Sequence, residues 1–134
     1  CSATSLFKEQ FKINTFDVDS YCERIGSGSL ATSLTLRFTR RQRMIYWLFW
    51  TAYSTRVNAD DFEAFFGVPL KKMYGMELWL AKRLGLVTEH DGTYEMTLKG
   101  AFSYHYYENF YTLSYIDKMW GILREEAFPE SIKL

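Results

Sequence analysis

The sequence predicts a mostly helical α+β domain, and three observations point to it. Two helix-opening signals and a proline-led start lie in close succession between residues 39 and 69, an Asp-Gly pair sits between two β-like runs at residues 88–97, and a long aromatic helical stripe closes the chain. With 134 residues, 48% hydrophobic and 24% charged, the chain has a one-domain length and the composition of a folded protein.

The elements follow in order. Asp17 opens a short helix with Val18, Tyr21 and Ile25 on one face, and the glycines of "GSGS", residues 26–29, stop it. "LATSLTLRF" then alternates as a short strand or extended linker. Thr39 and Gln42 have the capping-box spacing, and Met44, Ile45, Leu48, Phe49 and Ala52 follow at helical intervals, which predicts a long first helix of the main domain. Asn58 caps a second, "ADDFEAFF", with Asp60 and Asp61 in the turn where the helix dipole favours acids and Val57 placed to staple onto Phe62. Gly67 ends it. Pro69 suits the first position of a third helix over about 69–84, with Met73, Met76, Leu80 and Leu84 expected inward and Gly85 as its left-handed stop.

"LVTEH" and "TYEMT" flank Asp91-Gly92, the pair that favours a two-residue type I′ hairpin. Thr97 caps the last helix, whose stripe Phe102, Tyr106, Phe110, Leu113, Ile116, Trp120, Leu123 runs to about residue 124, although Gly121 weakens its end. Helix, helix, helix, hairpin, helix is the order of a winged-helix-like domain.

Charge narrows the function. Sixteen basic residues balance sixteen acidic ones, so no bulk field draws in phosphates or an anionic membrane, and no apolar run approaches the ~20 residues that span a bilayer. A winged-helix reader of nucleic acid needs cations on its third helix and wing. Here the wing carries Glu89, Asp91 and Glu95, while Lys71, Lys72, Lys82 and Arg83 on the third helix fit the solvated face of an amphipathic helix. Arg37, Arg40, Arg41 and Arg43 form the densest basic patch, away from where a groove contact is expected. A DNA-binding regulator is the alternative function, and no nucleic acid is the expectation.

Catalytic groups are sparse. His105 and Glu108 share a helical face, but no second histidine or cysteine completes a metal shell. His90, beside the hairpin turn, reads as exposed, and Cys22, between Tyr21 and Ile25, as a small buried apolar residue. Ser2, Ser5 and Ser103 lack a nucleophile elbow, and "GSGSL" lacks the lysine of a phosphate loop. No residue is assigned as catalytic or as a metal ligand. Two cysteines at unrelated spacing suggest reduced thiols and a cytoplasmic setting, and a start on Cys1 suggests a piece of a longer protein. The rings of the last helix exceed what one packing face needs; burial against the opening segment accounts for them, or a surface for a missing domain or a flat apolar ligand.

"CSATSLF", "INTFDVDSYCERIGSGSLATSLTLRFTRRQRMIYWLF", "FEAFFGV", "LAKRLGLV" and "YEMTLKG" together resemble the C-terminal part of the oxygen-independent coproporphyrinogen III oxidase family of radical S-adenosylmethionine (SAM) proteins. Ser2, Ala3 and Ser5 match that family's serine-alanine-x-serine, Asn14 its asparagine, Tyr21, Ile25 and Gly28 the next group, and Gly67, Gly85, Thr97 and Gly100 the rest. Methionine stands in "MTLKG" where the family commonly has leucine, its three-cysteine cluster motif is not in the chain, and the aromatic tail is more similar to the oxidase-like branch, which includes haem chaperones and haem-degrading methyltransferases.

The resemblance implies that residues 1–38 are the tail of a radical SAM barrel with a connecting segment, and that residues 39–134 are a winged-helix-like C-terminal domain that covers the barrel mouth and helps bind a porphyrinogen-type substrate. It implies a [4Fe–4S] cluster and SAM in the parent oxidoreductase of porphyrin and haem metabolism, with none in this segment. The implied partner is the N-terminal barrel of the same protein. Ser2 and Ala3 would lie at the edge of the SAM site, on a strand expected to be frayed or paired with another molecule once its barrel neighbours are missing.

Overall fold

The computed structural model describes residues 2–130, with the backbone alone at Tyr115. Cys1, expected at the head of the opening strand, the side chain of Tyr115 and the last four residues lie outside them. The chain divides into two compact units, one of the residues up to Arg43 with those from Asn109, the other Met44–Glu108.

In the first unit, β1 (Thr4–Phe7), β2 (Gln10–Asn14) and β3 (Thr32–Arg37) form an antiparallel sheet in that order. β2 alternates, so Phe11 and Ile13 are buried, as is Thr15 just beyond. Phe11 stacks on Phe38 with ring centroids 5.1 Å apart. The β1–β2 hairpin turns tightly through Lys8, which takes a left-handed φ of 53°. Between β2 and β3 lies α1 (Val18–Gly26), whose start is capped by the Asp17 carboxylate accepting from Ser20 N at 2.7 Å. Met119 and Leu123 are buried, and Trp120 meets Phe16 at 5.8 Å.

Two expectations fail in this unit. β1 is not frayed: β2, a strand outside those expected, pairs with it from Thr4↔Ile13 to Phe7↔Gln10. Cys22 is exposed rather than buried, because α1 buries no residue at all and leaves Val18 and Ile25 exposed too.

The second unit takes in most of α2 (Arg40–Ala52), then β4 (Arg56–Asn58), α3 (Ala59–Phe66), α4 (Leu70–Arg83), β5 (Val87–His90), β6 (Thr93–Met96) and most of α5 (Leu98–Tyr111). Its antiparallel sheet has the order β4-β6-β5, so the strand between the first two helices pairs with the far strand of the hairpin. The fold is α+β and winged-helix-like, as expected. Asp91 (φ 47°) and Gly92 (φ 74°) both take the positive φ of a type I′ turn. Asn58 Oδ1 accepts from Asp60 N at 2.8 Å and Asp61 N at 3.0 Å, and Gly67 ends α3 in the left-handed region. Thr39 and Gln42 make the reciprocal capping box: Thr39 N donates to Gln42 Oε1 at 2.7 Å and Gln42 N to Thr39 Oγ1 at 3.3 Å. The core joins Met44, Phe62, Phe66, Leu70 and Tyr94, with Val57, Tyr74, Leu78 and Val87 packed against it.

Two helices present a different face from the one expected. Pro69 is the cap residue of α4 rather than its first residue, and Tyr74 (φ −131°, ψ 26°) breaks the helical dihedrals. Leu70, Tyr74 and Leu78 therefore point to the core, while Met73, Met76, Leu80 and Leu84 are exposed. The closing helix runs from α5 through a π-helical turn (Thr112–Ile116) into α6 (Asp117–Glu125). One wide turn shifts the phase of everything after it. Phe102, Tyr106 and Phe110 already face outward before that turn, where α5 buries only Gly100, and Leu113 within it is exposed; Leu123, after it, is buried. Among the described residues, no helix is long and apolar enough to cross a membrane.

Candidate functional site

The residues singled out at the N-terminal end converge on one end of the first sheet. Ser2 N donates to Thr15 O at 2.7 Å, Asn14 N to Ala3 O at 3.0 Å, and Thr15 N to Ala31 O at 2.9 Å, so three chain segments are joined there by backbone bonds. Asn14 and Thr32 side chains approach to 3.5 Å. Thr15 is fully buried, and its hydroxyl accepts from Asp17 N at 3.2 Å, which ties the sheet end to the cap of α1. Composition could not single out Thr15; only its place two residues beyond Ile13 in the alternation could.

Ser2 and Ala3, just before β1, and Thr4 and Ser5 in its first half have small, exposed side chains, and β1 is an edge strand. Such an edge offers backbone donors and acceptors to whatever approaches, with no bulk to hold it off. It suits close backbone contact with a ligand or a further strand. Tyr21 is half-buried on α1, and Gly28 takes a left-handed φ of 77°.

The remaining matched positions hold the fold. Thr97 Oγ1 donates to Gly85 O at 2.8 Å and accepts from Gly100 N at 3.0 Å, while Thr97 N donates to Leu86 O at 3.0 Å. One threonine thereby fastens the end of α4 to the start of α5.

The wing and α4 neutralise each other. Glu89 lies between Lys71, at 2.7 Å, and Lys82, at 2.6 Å, and hydrogen bonds from these two lysines hold its carboxyl down at about 2. The same carboxylate raises the Lys71 ammonium above its usual range. Arg56 pairs with Glu95 at 3.1 Å across β4 and β6. Of the α4 cations considered for a groove contact, Lys71 and Lys82 are thus committed to the wing.

His90 is exposed. His105 is exposed beside Tyr53, ring centroids 5.5 Å apart, and the described residues contain no group of three potential metal ligands. The neighbouring Tyr104 hydroxyl donates to Phe49 O at 2.8 Å, and burial pushes its pKa up to about 12.

No family model matches the chain, and no curated protein matches it. A solved structure does: coproporphyrinogen III oxidase (HemN) from Escherichia coli, described as a radical SAM enzyme, superposes with a TM-score of 0.54 at 18% identity, over 78% of this chain and 25% of that one. The likeness is one of fold, and the chain spans about a quarter of that enzyme's length.

Proposed function

We propose that this chain is the C-terminal region of a radical SAM protein of the coproporphyrinogen III oxidase-like type. Residues 1–38 are the tail of the barrel and its connecting segment, and residues 39–134 a winged-helix-like domain that covers the barrel mouth and helps hold a porphyrinogen-type substrate. The observation that carries this reading is the open β1 edge, with its exposed small residues, in a chain whose fold matches a quarter of one such oxidase. A barrel strand at its ligand-facing end needs those features: an edge to be paired, and small side chains where a cofactor passes.

The residues present fit SAM better than the cluster. Ser2 and Ala3, exposed and small, suit the edge of a SAM site. Two cysteines cannot supply the three thiolates an iron–sulfur cluster of this class takes, so the preceding part of the protein would hold it. When bound, the cluster and SAM supply the radical that removes hydrogen from the substrate; this chain's part is to position and to exclude water. The commitment of Lys71 and Lys82 to Glu89 weighs against a DNA-binding regulator.

The test is the coding sequence upstream of Cys1 together with the intact protein. A C-x-x-x-C-x-x-C motif, and 5′-deoxyadenosine released from SAM by the reduced, anaerobically purified protein, are expected. Absence of both overturns the reading.

A further inference from the structure

Where α2 ends beside the middle of α5, four aromatic rings gather outside both the core cluster and the β1 edge. Their centroids lie 5.5 Å apart from Phe49 to Trp50, 6.0 Å from Trp50 to Tyr53, 6.3 Å from Tyr53 to Tyr104 and 5.7 Å from Tyr104 back to Phe49. The four rings thus close a circuit, all of it within the second unit. Successive planes are turned by 89°, 40°, 82° and 45°, so the rings stand as walls and not as one flat stack. Phe49 and Tyr104 suffice to fasten the two helices, through their ring contact and the Tyr104 hydroxyl that donates to Phe49 O. Trp50 and Tyr53, 54% and 50% exposed, leave the circuit open to solvent.

We infer that Phe49, Trp50, Tyr53 and Tyr104 form an aromatic cage for a trimethylammonium group. An aromatic face attracts a cation within about 6 Å of its centroid, and sides this short set the centre of the circuit inside that range of all four rings. Tryptophan and tyrosine supply three of the four, and tryptophan gives the strongest such face. Two further fields have the right sign. The last turn of α2 contains no basic residue, so its own side chains do not offset the negative end of the helix dipole, where Phe49 and Trp50 sit. After burial, the nearness of the Glu108 carboxylate is what holds the Tyr104 phenol protonated, which places a negative charge beside that ring. Rings offer faces rather than lone pairs, and the Tyr104 hydroxyl is committed to Phe49 O. A primary ammonium would leave N–H donors unmet among them, whereas a quaternary one has none to satisfy. The cage stands apart from the radical-enzyme role.

The experiment titrates the 134-residue chain with choline, followed by NMR and tryptophan fluorescence, and repeats it with 3,3-dimethylbutan-1-ol, the uncharged molecule of the same shape. Saturable choline binding with a Kd of roughly 1 mM is expected from a few exposed cation–π contacts. The largest shifts should fall on the four rings, and the alcohol should bind at least tenfold more weakly. Trp50→Leu and Tyr53→Leu should each weaken choline at least fivefold while the thermal midpoint stays within about 4 °C of the parent's, as for surface substitutions. Trp50→Phe, which keeps a ring, should fall between parent and Trp50→Leu, and Tyr106→Leu, an exposed ring outside the circuit, should stay within twofold. Titrating Nε-trimethyllysine amide beside choline names the source of the group, a methylated protein if it binds tighter and a free small molecule if choline does. No saturable binding, equal affinity for the alcohol, or choline affinity unchanged in both leucine variants would each overturn the proposal.

Discussion

The α-carbon of Gly100 lies against the backbone of Leu86 so closely that a Cβ built there would stand 1.8 Å from the Leu86 carbonyl oxygen and 2.8 Å from its carbon. That oxygen also accepts from Thr97 N, so neither backbone can retreat without breaking the junction of α4, the hairpin and α5. Gly100→Ala should therefore destabilise the chain by at least ~3 kcal/mol, the upper range for overpacking. Gly121→Ala is the control: its Cβ meets nothing within 4 Å, and alanine in a helix should be neutral or stabilising by up to ~1 kcal/mol. Urea midpoints of the two variants would check both, and similar midpoints would contradict the geometry.

Acid should loosen the wing through Glu89. Its folded pKa, about 2, lies below the ordinary 4.5, so its contribution is present above the ordinary value and is lost as pH falls from about 4.5 through about 2. Lys71 has the opposite sign: its raised pKa makes its contribution full below the ordinary 10.5 and lost as pH climbs past the raised value. Over pH 6 to 2 the thermal midpoint should fall more steeply in the parent than in Glu89→Gln. Parallel profiles would show that the two lysines do not hold this carboxylate.

Duplex DNA should bind no tighter than the non-specific range, roughly 10⁻⁴ M at physiological salt, and replacing Lys71 and Lys72 with glutamine should change this little. Fluorescence anisotropy across a salt series measures it. Submicromolar, sequence-dependent binding would hand the chain to the regulator reading.

What could be read in the sequence is what neighbouring residues decide among themselves. The Asn58 cap, the Thr39–Gln42 box and the Asp91-Gly92 turn are local bargains between a side chain and adjacent backbone, and all three stand as expected. β4 escaped because three residues carry no period; it exists through pairing with β6, Arg56↔Glu95 to Asn58↔Thr93. The inward face of α4 escaped because the helix holds two apolar sets, Met73-Met76-Leu80 and Leu70-Tyr74-Leu78, and the break at Tyr74 together with the Phe62 core selects the second. At the candidate site, Ser2 and Ala3 were named by resemblance alone. The bonds to Thr15 and Asn14 that join them to the sheet link residues a dozen positions apart, beyond the reach of any local pattern.

Ala3 has an exposed side chain, and its bond from Asn14 is made by backbone. In this chain Ala3→Leu should shift stability by no more than ~0.5 kcal/mol, the usual range for surface substitutions. Thermal unfolding of the variant checks it, and a larger loss would mean that Ala3 packs as core.

The central claim, that this sheet edge borders a SAM site, is tested most directly by SAM affinity in the intact, cluster-reconstituted protein, measured by equilibrium dialysis for the parent and for Ala3→Leu. One SAM per chain is expected in the parent, and weakening by roughly tenfold or more in the variant, since intruding heavy atoms cost ~1–3 kcal/mol. Equal affinity in both proteins, or no SAM binding by the parent, would contradict it.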